Sequence, residues 1–152
     1  MDPYQTPETD LQTTTTRPFK PISGLLLGLC IYLILGQLLS VVLTYGYGLA
    51  LGLDITNVTF MTALAGHPFY LALDLVLSSA LLFYAGRVIG KRTPGQELRY
   101  AAVLTAILLV LNLLMFYYTD TFSVYPVWYS TLIILITLTM IPLGARNSAP
   151  RP

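Results

Sequence analysis

Three strongly polar side chains, Gln37, Asp74 and Asn112, interrupt long apolar stretches of this sequence. Asp74 follows Pro68 by six residues, which on a helix places it about 9 Å from the helix start. An ionised carboxylate in the middle of a membrane helix costs roughly 2.5–3.5 kcal/mol on insertion scales. Asp74 is therefore expected to face protein or water, and desolvation disfavours its charged form unless a donor offsets it. Gln37 and Asn112 fall at similar depth, so the three residues are predicted to share one layer. Ser40 lies on the face of Gln37, and Ser78 is one helical turn from Asp74. Two chemistries fit such a layer. It is either a proton or solute site, or a set of interhelical hydrogen bonds worth about 0.6 kcal/mol each. The second reading is favoured, because transport pathways usually use several ionisable groups and Asp74 stands alone within the apolar stretches.

The remaining reactive types give little. His67 is the only histidine, next to Pro68 at a predicted helix start. Its seven-residue spacing from Asp74 allows a relay, but a histidine at a helix end needs no such role. Cys30 is the only cysteine, which rules out an intramolecular disulfide framework or a CxxC redox pair. It reads as a small packing residue. No metal-ligand spacing occurs and no nucleophile has a base nearby in sequence, so neither cofactor nor metal is expected. Asn57-Val58-Thr59 matches the glycosylation pattern, a short match with meaning only in a eukaryotic secretory pathway.

The elements that must position these residues are membrane helices. Hydrophobic residues make up 55% of the 152 and charged ones only 10%, far below the charged fraction of a soluble domain. Four apolar spans are predicted at about 22–46, 68–89, 100–118 and 125–143. Together they form an all-α, four-helix integral membrane bundle over 21–145, with polar tails at 1–20 and 146–152. The leader contains a threonine run at 13–16 and no apolar core of a signal peptide. The first apolar stretch extends over 22–53, about 48 Å as a helix, against a hydrocarbon core of about 30 Å. It must tilt, or break near Gly46 and Gly48. Pro142 and Gly144 are predicted to end the last helix. All eight Lys and Arg residues fall on one side of these spans, whereas the connections at 51–67 and 119–126 hold none and carry Asp54 and Asp120. Basic residues are retained on the cytoplasmic side, so both termini are expected in the cytoplasm. Tyrosines, phenylalanines and Trp128 gather at the opposite ends, as Tyr45, Tyr47, Phe60, Phe69, Tyr70, Tyr117, Tyr118, Phe122, Tyr125 and Tyr129 show. That is the aromatic belt of a membrane interface. No basic patch suits a nucleic acid.

Small residues indicate how the helices pack. Gly24, Gly28, Tyr32, Gly36, Ser40, Thr44, Gly48 and Gly52 recur every four residues, small or hydroxylated except at Tyr32. Such a repeat lets helix backbones approach closely, and it drifts around a straight helix by about 40° per step. Asp74, Ser78, Gly86 and Gly90 form a similar series in the second span. The two spans are predicted to pack on each other through these series.

Several segments resemble a bacterial family of four-helix inner-membrane proteins of unassigned function. They are Ile22-Ser23-Gly24-Leu25-Leu26 at the first helix start, Asp74 early in the second helix, and the basic, proline-containing connection at 87–94. Ile141-Pro142 followed by Arg146 closes the series, and Tyr4-Gln5-Thr6-Pro7 is similar to leaders of small bacterial membrane proteins. The resemblance covers 19–146, with Leu25 where the family has tryptophan. It implies residence in a bacterial inner membrane and supplies no activity. The leading functional expectation is a non-enzymatic accessory or interaction subunit, acting on another membrane protein or on a copy of itself within the lipid bilayer. The alternative is a small proton-linked transporter or channel using Asp74.

Overall fold

The computed structural model describes residues 19–57, 59–118 and 124–148. Within them every regular element is helical: α1 (Pro21–Ala50), α2 (Phe60–Ala65), α3 (Pro68–Arg92), α4 (Glu97–Tyr118) and α5 (Val127–Arg146). All but α2 are long and apolar enough to cross a membrane, the length and composition that suggest a multi-pass membrane protein. Expectations placed on the threonine run, Tyr4 to Pro7, Arg17, Val58, Asp120, Phe122 and Arg151 lie outside the described residues.

α1 spans 30 residues, about 45 Å. It does not break at Gly46 or Gly48 but runs through both. It ends where Gly52 takes a left-handed φ of 70°, the Leu53 N–H bonds back to Gly48 O at 3.0 Å and the Gly52 N–H to Leu49 O at 3.0 Å. This pair of bonds is a Schellman cap, which glycine permits because it has no Cβ to clash. The middle of the helix, Ile31–Leu35, is π-helical, with the Gly36 N–H bonded to Ile31 O. The distortion has a geometric consequence. A four-residue stripe drifts because an α-helix turns in 3.6 residues, and the wider i→i+5 turn cancels part of that drift. Gly24 and Gly28 below the π segment and Thr44 and Gly48 above it all reach the bundle and are buried.

The glycines are used differently from the sequence expectation. α1 packs antiparallel on α3: a Cβ at Gly24 would stand 3.4 Å from Ile89 Cγ1, and one at Gly28 only 2.9 Å from Leu104 Cδ2 on α4. Gly36 has ordinary space, with Leu81 Cδ1 at 3.7 Å, and Gly48 faces the Phe60 ring of α2. Gly86 and Gly90 on α3 turn away from α1 and meet α5, a correction to the predicted pairing. A Cβ at Gly86 would lie 2.9 Å from the Ile141 carbonyl carbon, and one at Gly90 2.7 Å from Ala145 O. Gly144 returns the contact, closing on Phe83 O and Arg87 N. Asp74 with Tyr129, Gly86 with Ile141 and Gly90 with Ala145 keep one sequence offset, so α3 and α5 run parallel in a single register. Theirs is the most extensive helix pair. Pro142 and Gly144 do not end α5, which continues to Arg146. One lost helical bond at a proline is tolerated among packed membrane helices, and Gly144 serves the α3 contact instead.

Two apolar clusters hold the bundle. One, toward the end carrying Lys20, Lys91, Arg92 and Arg146 (the basic end), joins Leu82, Ala85, Ile89, Ala101, Leu104, Leu108, Ile141 and Ala145. The other, at the aromatic end, joins Phe60, Leu64, Tyr70, Leu71, Tyr129 and Ile133. The short helix α2, absent from the sequence expectation, supplies Phe60 and Leu64. Phe60 is buried there rather than lying in an interfacial belt. At the basic end, the Lys20 N–H donates to Arg92 O (2.8 Å) and Arg92 Nη1 donates to Ser23 Oγ (2.9 Å), pinning the start of α1 to the end of α3. In the 51–59 connection, Thr56 donates to Asp54 Oδ1 from both Oγ1 (2.7 Å) and N (2.9 Å), which holds the Asp54 carboxyl below its ordinary pKa.

Candidate functional site

Between the two apolar clusters lies a polar gap. On α3 it covers residues 74–81, flanked by buried Leu71 and Leu82; on α4 it begins after Leu108, and on α5 it stops at Ile133. The gap is a cavity of about 390 Å³, inside the range of about 300–1,000 Å³ usual for small-molecule sites.

All five residues of the predicted polar layer line it: Gln37 and Ser40 from α1, Asp74 and Ser78 from α3, Asn112 from α4. The structure brings them together, but not as partners of one another. Asp74 accepts at Oδ2 from the Tyr129 hydroxyl of α5, not from Gln37 or Asn112. Asn112 Oδ1 accepts from the Tyr32 hydroxyl of α1 at 3.0 Å. Asn112 Nδ2 is buried with no hydrogen-bond partner among the described residues. Gln37 sits exposed at the rim, and Ser40 and Ser78 are half-buried.

Sequence reasoning missed the tyrosines. Tyr32 lies within the π segment, and its hydroxyl reaches Asn112 across the cavity. It was the one large residue in the small-residue repeat, which was the available signal. Tyr125 and Tyr129 were assigned to an interfacial belt. Instead they stack on each other, centroids 5.1 Å apart, and line the cavity. Thr44 Oγ1 and the Tyr70 hydroxyl pair at 3.0 Å toward the aromatic end. A phenol can donate to a carboxylate while its ring packs on apolar neighbours, and Tyr129 does both.

The other sequence candidates stand apart from this site. His67 caps α3, its ring 6.3 Å from that of Tyr47 and outside the cavity lining. Cys30 is exposed on α1. Asn57 Oδ1 accepts from Thr59 Oγ1 (2.9 Å) and N (3.0 Å) in the exposed connection.

The cavity has an open side. α1 beyond Gly36 packs on α3 and α2 and makes no comparable contact with α4. Gln37 on α1, Met61 on α2 and Met115 on α4 are all exposed and all line the cavity. The gap between α1 and α4 is therefore a lateral mouth. Among the described residues no lysine, arginine or histidine lines the site, and Asp74 is its one acidic group. What the arrangement offers chemically is a carboxyl group, two primary amides and several phenols on the wall of an apolar-flanked cleft. Comparison with protein-family models, with characterised proteins and with solved structures finds no match to this chain.

Proposed function

We propose that this chain is a small non-enzymatic membrane protein that binds a solute in the α1–α3–α4–α5 cleft and couples it to protonation of Asp74, as a proton-linked transporter or channel. The observation that carries the reading is the convergence of Gln37, Ser40, Asp74, Ser78 and Asn112 on one laterally open cavity. A layer serving only helix register would spend its polar groups on each other. Here, among the described residues, Asn112 Nδ2 has no partner, and Gln37 and Ser78 make no interhelical bond. The accessory-subunit reading drew on abundant small residues. Gly24, Gly28, Gly48, Gly86, Gly90 and Gly144 all abut atoms of their own chain, which leaves fewer of them for a partner helix.

The orientation belongs to the same proposal. Lys20, Arg87, Lys91, Arg92, Arg99 and Arg146 gather at one end of the helices, so that end is assigned to the cytoplasm and the cleft to the outer half of the bilayer. A bacterial inner membrane, and kinship with the four-helix family resembled in sequence, fit this arrangement. A proteoliposome flux assay tests the function: solute addition should drive proton movement with wild-type protein and none with Asp74→Asn. Equal flux from both would remove Asp74 from the mechanism and the transporter reading with it.

A further inference from the structure

We infer that the ligand of the cleft is a lipophilic monocation, an organic ammonium or phosphonium with an apolar body, taken from the outer leaflet through the mouth between α1 and α4. This rests on the cleft being a solute site, and adds the charge, the polarity and the route.

The charge follows from the lining. Among the described residues Asp74 is the only acidic group in the cavity, and no basic one lines it. Its Oδ2 accepts from Tyr129, while Oδ1 takes no hydrogen bond among the described residues. The polar groups lining the cavity with it are phenols, amides and hydroxyls: Tyr32, Gln37 and Ser40 from α1, Ser78 from α3, Asn112 from α4, Tyr125 just before α5 and Tyr129 in its first turn. None of these supplies a positive charge, so an ionised Asp74 lacks a counter-ion that a bound cation would provide, and an anion would meet repulsion alone. The apolar body follows from the rings. Tyr32, Phe116, Tyr125 and Tyr129 present aromatic surface, which attracts a weakly hydrated cation through the ring faces and packs against hydrocarbon. The route follows from the mouth, rimmed by Met61 and Met115, flexible side chains suited to ligands of varied shape. Protonating Asp74 removes the attraction, so cation and proton compete for one carboxylate and binding releases a proton when the group starts protonated.

Full-length protein in lipid nanodiscs, titrated with tetraphenylphosphonium and with tetraphenylborate, tests the idea, because the two ions share a shape and differ in sign. Empty nanodiscs supply the partition background. Saturable binding of the cation is expected, weakening by about tenfold or more in Asp74→Asn. Asp74→Glu, which keeps the charge, should retain binding, and proton release into weak buffer should accompany it in the wild type. Thermal unfolding of each variant identifies any loss due to misfolding. Saturable binding of tetraphenylborate instead, or cation binding indifferent to Asp74→Asn, would overturn the cationic ligand while leaving the cleft as a site. Binding of neither ion, with proteoliposome flux for some other solute still dependent on Asp74, would likewise overturn the ligand class alone. Binding of neither together with absent flux would overturn both readings.

Discussion

At the scale of single residues, the molecule turns on the Asp74–Tyr129 contact. The depth of Asp74, Gln37 and Asn112 was legible because a fixed helical rise converts sequence distance from a helix end into height. Their bonding partners were not legible. A tyrosine near a helix end has the same signature whether its hydroxyl reaches headgroups or a buried carboxylate, and only the parallel register of α3 and α5 puts Tyr129 beside Asp74. The energetics of that contact give a graded prediction. Asp74→Asn keeps an acceptor for Tyr129 and removes a desolvated charge, so stability in detergent should be unchanged or slightly higher. Asp74→Leu leaves the Tyr129 hydroxyl without its acceptor, and Tyr129→Phe leaves the carboxyl without its donor. Each should cost about 1 kcal/mol, the scale of hydrogen bonds between membrane helices. Thermal unfolding of the three variants measures this. Equal destabilisation by Asp74→Asn and Asp74→Leu would mean that the hydrogen bond to Tyr129 contributes nothing.

At the scale of elements, close approach was legible but the partner was not. Glycines four apart announce a tight helix crossing, yet Gly86 and Gly90 give no sign of which helix comes near. Gly144 was read as a stop signal because it follows Pro142, and in a soluble helix that pairing usually is one. The structure makes it the reciprocal half of the α3–α5 crossing, against Phe83 and Arg87. Gly46 provides an internal contrast: it is exposed on α1, and nothing stands within 4 Å of where its Cβ would be. Gly86→Ala and Gly144→Ala must push two backbones apart and should each destabilise by about 1–3 kcal/mol or more. Gly46→Ala should stabilise by about 0.5–1 kcal/mol, since glycine loses more backbone entropy within a helix. Detergent unfolding that ranked Gly46→Ala below Gly86→Ala would contradict this assignment of the helix faces.

At the scale of the whole molecule, the four long helices were legible from hydropathy and length alone, and the basic residues supply an orientation. The lateral mouth was not legible, because it depends on α1 standing clear of α4 beyond Gly36, a relation between helices distant in sequence. The proposed orientation determines which leaflet the mouth opens to, so it bears on every functional statement above. Single cysteines in a Cys30→Ser background, treated with an impermeant thiol reagent on intact cells, test it directly. Asp54 is exposed at the aromatic end and Gln96 at the basic end, whereas Thr93 is fully buried and would report nothing. Cysteine at Asp54 should react from outside, and cysteine at Gln96 only after the membrane is permeabilised. The reverse pattern would place both termini outside, turn the Asp74 cleft toward the inner leaflet and contradict the account.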